Sequence, residues 1–178
     1  MNMTRKTIGS FECVSGKFAV SDPCYDTDVW CRGELENIKR GKWSAEAGMV
    51  DDGKWGLRVA LLSAQHESYD EDAEGDLAEY AAEFEVGVDS GQAGIFDAKH
   101  YRDDAVFGDS KPKFKAGDTG PGDVWYDHCC DKTIGGSRAG VIPYGAVSSS
   151  GYGDGGYGCV YYTDAEGLVV KVAVQFIG

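Results

Sequence analysis

Proline is scarce in this chain, with four in 178 residues, so it has little of the stiff, extended character of proline-rich linkers and recognition tails. No apolar run is long enough to cross a bilayer. Met1 to Val20 alternates polar and apolar residues and lacks the continuous apolar stretch of a signal peptide. A membrane partner is therefore not expected, and the chain is expected in the cytoplasm. Basic residues are outnumbered, 17 against 30 acidic ones, for a net charge of -13. That balance argues against nucleic acid as a partner, because binding phosphates means displacing their counterions with Lys and Arg. It suits a cation, a basic protein partner or plain solubility. Paired-cysteine spacing is missing too. Cys13, Cys24, Cys31, Cys129, Cys130 and Cys159 contain no CxxC, and without a secretory segment they read as reduced thiols.

Glycine and alternation are what the chain has in abundance. The 26 glycines lie among aromatic and β-branched runs and read as turns and bulges between strands. With 42% hydrophobic residues, the chain reads as one globular domain over 1–178. Ser10 to Val14 and Lys17 to Ser21 read as two short strands around a tight turn at Ser15-Gly16. Trp43, Ala45, Ala47 and Met49 alternate with polar neighbours. Asp51-Asp52-Gly53 then turns the chain into a second apolar run from Trp55 to Leu62. Ala82, Phe84, Val86 and Val88 have the same period of two. Gly156 to Tyr162 is expected to pair with Leu168 to Phe176 through the turn Asp164-Ala165-Glu166-Gly167.

Helical spacing is rare. Leu77, Tyr80, Ala81 and Phe84 predict a short helix over Asp76 to Ala82, and a second helical turn is expected from Phe96 to Arg102. Asp109 to Asp123 has no period and reads as a long surface loop. The expected fold is all-β, an antiparallel sandwich or partly open barrel with at most two short helices.

One internal echo stands out. Ser15-Gly16-Lys17-Phe18-Ala19-Val20-Ser21-Asp22 matches Ser90-Gly91-Gln92-Ala93-Gly94-Ile95-Phe96-Asp97 in its Ser-Gly start, its small and aliphatic positions and its closing Asp. A duplicated strand-turn unit would produce such a match, and so would coincidence in a glycine-rich chain. Three segments also carry a resemblance. Val20-Ser21-Asp22-Pro23-Cys24-Tyr25, then Gly87 to Asp97, then Ser150-Gly151-Tyr152-Gly153-Asp154-Gly155-Gly156-Tyr157 together resemble the bacterial and phage domain-of-unknown-function family 4241. This chain has Gly158 where that family often has Pro. The resemblance implies a mostly-β fold and a bacterial or phage origin, and it implies no activity.

The candidate chemistry gathers in these segments. Gly151 to Gly158 is a loop whose glycines let a backbone approach a ligand and whose Asp154 offers a carboxylate. It lacks the Lys-Ser/Thr of a phosphate loop. Asp22, Asp89, Asp97 and Asp154 all lie at strand ends or turns. Convergence of Asp22, Asp89 and Asp154 would hold calcium or magnesium. Two of these carboxylates close together would serve a hydrolase as acid and base. Each capping its own turn is the third possibility. Tyr25, Ser90, Gln92, Tyr152 and Tyr157 sit beside these loops as further ligand-binding candidates.

Asp70 to Asp76 resembles the start of a calcium loop, but the twelfth position is Ala81 where a bidentate Glu is required. His128 beside Cys129 and Cys130 would need His100, Cys24 or Cys31 from elsewhere to hold zinc. Trp30, Trp43, Trp55 and Trp125 read as core. The sequence thus leads first to a binding module with an acidic, Gly-rich face for a small ligand, cation or basic partner. A carboxylate hydrolase and a purely structural protein remain as alternatives.

Overall fold

The computed structural model describes residues 2–72, 84–117 and 120–178. Their strands are β1 (Thr4–Cys13), β2 (Phe18–Ser21), β3 (Gly33–Leu35), β4 (Gly41–Asp51), β5 (Leu57–His66), β6 (Phe84–Val88), β7 (Gln92–Asp97), β8 (Ala139–Ile142), β9 (Gly145–Ser149), β10 (Gly155–Thr163) and β11 (Val169–Gln175). They form a six-stranded sheet, β1-β4-β5-β11-β10-β6, and a five-stranded sheet, β3-β2-β7-β9-β8. Every neighbouring pair is antiparallel. The inner faces share one core in which Phe11, Phe18, Trp43, Leu62, Val86, Ile95 and Val172 are buried. Helix α1 (Asp123–Thr133) covers the outer face of the five-stranded sheet, where Phe96 and Val147 meet Trp125 and Cys129. The fold is the expected all-β sandwich, with a helical flank and no closed barrel.

Alternation sets which side chains enter the core. In β4, Trp43, Ala45 and Ala47 are buried. An extra residue in β5, Ala60, makes a bulge opposite Gly48 and Met49, beyond which Val50 is buried and Met49 packs half-buried against the core. A second bulge, opposite Tyr162 and Thr163, lies in β11. There Val169 joins Val172 and Val174 in the main core. The turn at Ser15-Gly16 exists, but it does not make a hairpin. It carries the chain from β1 in one sheet to β2 in the other.

The internal echo is a property of the whole fold. β1 to β5 visit the two sheets in the same order as β6, β7, β9, β10 and β11, and α1 and β8 are inserted only in the second series. The halves meet through two antiparallel pairs, β2 with β7 and β5 with β11, as a two-fold relation requires. Side chains follow the relation. Trp43 packs edge-on against His66 at 5.8 Å, and Tyr157 packs edge-on against Phe176 at 5.1 Å. Trp43 Nε1 donates to the Lys39 carbonyl at 2.8 Å, and Tyr157 OH donates to the Gly153 carbonyl at 2.6 Å.

The helices differ from expectation. Residues 76–82 lie outside the described residues, and the helical turn after Phe96 is a single 3-10 turn, Ala98–His100. Helix α1 has no counterpart in the sequence reading. Its buried stripe is Trp125, Cys129 and Thr133, one apolar ring followed by small side chains, and Asp127 and His128 are buried beside it. Asp123, read as the end of a loop, begins this helix. Trp43 and Trp125 are core residues, but Trp55 is 57% exposed and Trp30 94% exposed.

Phe18 is fully buried between Phe11 and Trp43. Phe18→Ala is expected to cost about 3–5 kcal/mol in urea unfolding followed by circular dichroism. Trp30→Ala is expected to stay within about 0.5 kcal/mol of the parent.

Candidate functional site

Asp22 and Asp97, both wholly buried, end β2 and β7. Asp22 Oδ2 accepts from the backbone N–H of Asp89 at 2.8 Å and of Ser90 at 2.6 Å. Asp97 Oδ2 accepts from the N–H of Val14 at 2.5 Å and of Ser15 at 3.0 Å. Each second oxygen turns back on its own strand end, taking Cys24 N–H at 2.8 Å in one case and Lys99 N–H at 2.9 Å in the other. Each carboxylate thus holds the turn that leads into the other's strand. Gly16 and Gly91 supply the left-handed backbone at these turns, with φ of 74° and 68°.

Tyr25, Asp89, Ser90 and Asp154 meet at the Asp89-Ser90-Gly91 turn through hydrogen bonds already made. Ser90 Oγ donates to Asp22 Oδ1 at 2.6 Å. Asp154 Oδ1 accepts from Gly91 N–H at 2.9 Å, and Asp89 Oδ2 accepts from Tyr25 OH at 2.7 Å. Tyr101 OH then donates to the carbonyls of Asp22 and Tyr25 at 3.0 and 2.7 Å. Gln92 spans strand and helix, donating to Cys130 Sγ at 3.4 Å and accepting from Thr133 Oγ1 at 2.9 Å.

Asp22, Asp89 and Asp154, the carboxylates read as a calcium or magnesium site, each already accept a hydrogen bond from the protein. Asp22, which would anchor it, has both oxygens engaged by fixed backbone donors. Among the described residues no three His, Cys, Asp or Glu side chains are grouped to hold a metal. His128 is stacked on Phe107 at 3.6 Å with its Nε2 3.3 Å from the Ser110 carbonyl, a packed ring and no zinc ligand. Nucleophiles fare no better. Burial and the neighbouring Asp22 charge push the Cys24 thiol up to about 12, and burial raises Cys129 and Cys130.

The Gly-rich loop closes on itself before β10 begins. Tyr157 OH donates to the Gly153 carbonyl, and Ser150 Oγ donates to that same carbonyl at 2.9 Å. Tyr152 and Asp154 are both exposed, and the Tyr152 hydroxyl lies 2.7 Å from Asp52 Oδ2.

The excursion between β7 and β9, residues 98–144, is what the second half has and the first lacks. Its parts are tied by carboxylates. Asp104 accepts from Gly122 and Trp125 N–H at 2.9 and 2.8 Å and so caps α1 from outside. Asp131 takes the N–H groups of Lys113 and Phe114, both at 2.7 Å, and Asp127 takes that of Ala116 at 2.9 Å. Between this loop and α1 lies a cavity of about 770 Å³, lined by Lys111, Pro112, Lys115, Val124 and Asp127 among others. Because Asp127 and Asp131 face the loop's backbone, Lys111, Lys113 and Lys115 have no ion-pair partner among the described residues. The sequence signal was Lys111-Pro112-Lys113-Phe114-Lys115, three cations in five residues of an acidic chain. Reading that stretch only as aperiodic loop passed over it.

No protein-family model matches the chain, and neither a curated protein nor a solved structure matches it.

Because the clasps are equivalent, Asp22→Asn and Asp97→Asn are each expected to lower stability by about 2–4 kcal/mol. Thermal melts in calcium and in chelator should show the same loss for both variants.

Proposed function

We propose that the chain is a binding module that takes a small anionic molecule with an apolar body into the cavity between loop 108–117 and α1. The observation that carries this reading is that Lys111 and Lys115, which line the cavity with Pro112 and Val124, have no ion-pair partner among the described residues. Repetition supports it as well. Features needed to build the sandwich occur in both halves, and this cavity occurs in the one stretch that does not repeat. Asp109 and Asp127 also line the cavity, so its charge is locally balanced on a chain of net charge -13, and an anion meets less repulsion there than over the rest of the surface.

Binding is favoured over hydrolysis because Asp22 and Asp97 already hold backbone N–H groups and have no oxygen turned to a substrate. The six free thiols suit a reducing cytoplasm, and among the described residues no helix is long and apolar enough to cross a membrane. The resemblance to family 4241 adds no chemistry to this reading.

The dye 8-anilinonaphthalene-1-sulfonate has the required chemistry, an aromatic body with one sulfonate. Titration of the native protein is expected to give saturable, one-to-one fluorescence enhancement. Lys115→Glu and Val124→Asp should each weaken it about tenfold, near 1.4 kcal/mol, with the far-ultraviolet circular dichroism unchanged. Enhancement that both variants leave untouched would remove the cavity as the site.

A further inference from the structure

The two-fold relation gives every strand a counterpart except β8. That strand pairs with the outer edge of β9, Val141 opposite Ala146 and Ala139 opposite Ser148. The counterpart of β9 is β3, since β9 flanks β7 as β3 flanks β2. No described strand pairs with the outer edge of β3. Between that edge and β6 lies a cavity of about 420 Å³, lined by Trp30, Cys31, Arg32, Gly33, Phe84 and Glu85 among others.

We propose that this slot receives an extended segment of a partner protein, which adds a strand to β3 as β8 adds one to β9. The segment carries small or β-branched apolar residues beside a basic one. This goes beyond the anion cavity and uses the opposite edge of the five-stranded sheet.

The occupant's chemistry follows from the filled slot and from the charge around the empty one. In the second half the slot holds Ala139-Gly140-Val141-Ile142, and Val141 sits so close to β1 that a Cβ on Gly9 would lie 2.6 Å from its Cγ2. In the first half the Phe84 ring covers Gly33, where a Cβ would lie 2.3 Å from Cε2. The ring narrows the space to what small side chains fill. Trp30 stands 94% exposed beside the opening, a large ring of the kind that anchors interfaces.

The Arg32 side chain is 8% exposed. Its guanidinium lies over the Tyr101 ring at 4.6 Å, and its buried Nε has no partner among the described residues. Glu34 and Glu36 are already paired with Lys17 and Arg32, and Glu85, which lines the slot, has no ion pair among the described residues. That charge favours a basic flank, such as Arg138 beside β8.

The test uses a fluorescein-labelled peptide of residues 137–144, Ser-Arg-Ala-Gly-Val-Ile-Pro-Tyr, added to the full chain and followed by anisotropy. Saturable binding is expected, on the order of tenfold tighter than for the same peptide carrying Gly140→Pro and Val141→Pro. In the protein, Trp30→Ala and Glu85→Lys should each weaken binding at least about fivefold. Their melting temperatures report that the fold is intact.

Absence of saturable binding would overturn the proposal. So would binding that both variants leave unchanged, because the peptide would then be replacing β8 at β9. A dimer that the peptide dissociates would put a second copy in the slot instead. Binding seen only after deletion of residues 73–83 would assign the slot to this chain's own segment.

Discussion

Two buried carboxylates hold this fold together. A sandwich whose strands leave one sheet for the other must fix the crossings, because a turn with unpaired N–H groups is costly inside a protein. Asp22 and Asp97 do this reciprocally, each closing one strand while taking two N–H groups of the turn that opens the other. β2 and β7 can pair antiparallel in the centre of their sheet only if both crossings are set. An uncompensated charge would make the arrangement expensive, and three or four donors around each carboxylate compensate it. The clasp therefore couples residues far apart in sequence and makes the two halves one cooperative unit.

Much of the β-structure was legible because a period of two is a local signal. The β4–β5 and β10–β11 hairpins follow from alternation and from turn residues that tolerate their backbone. Sheet membership was not legible. β1 and β2 are joined by a tight turn and look like a hairpin, but their partners are chosen by Asp97, which lies across the fold. Helix α1 escaped notice because its packing side is built from Trp125, Cys129 and Thr133, with polar Asp127 and His128 buried next to them. Its place in the fold depends on Asp104, Gln92 and the loop it holds, none of which a short window contains.

The candidate site shows the same division. The motif residues Asp22, Ser90 and Asp154 meet at one turn and Asp97 holds the equivalent one, and their carboxylates take backbone N–H groups. Echoed motifs drew attention because they repeat, and they repeat because each half needs them to fold. The lysine-bearing loop carries no repeat and no periodicity, so only its charge distinguished it.

Departures from the two-fold relation then separate what the sandwich requires from what it does not. The Ser-Gly turns are each steadied by the residue just before the following outer-sheet strand. In one half this is Arg40, donating to the Ser15 carbonyl at 3.4 Å, and in the other it is Asp154, accepting from Gly91 N–H. Opposite charges do equivalent work, so neither sign is dictated by the fold there. The excursion carrying α1 and β8 is a larger departure, because a sandwich of five strands per half closes its core without it. Its insertion covers one outer edge, and at the equivalent edge, β3, no strand is paired among the described residues. Among the described residues, asymmetry imposed on a symmetric frame thus accompanies both a cavity whose lysines have no ion pair and an edge without a paired strand.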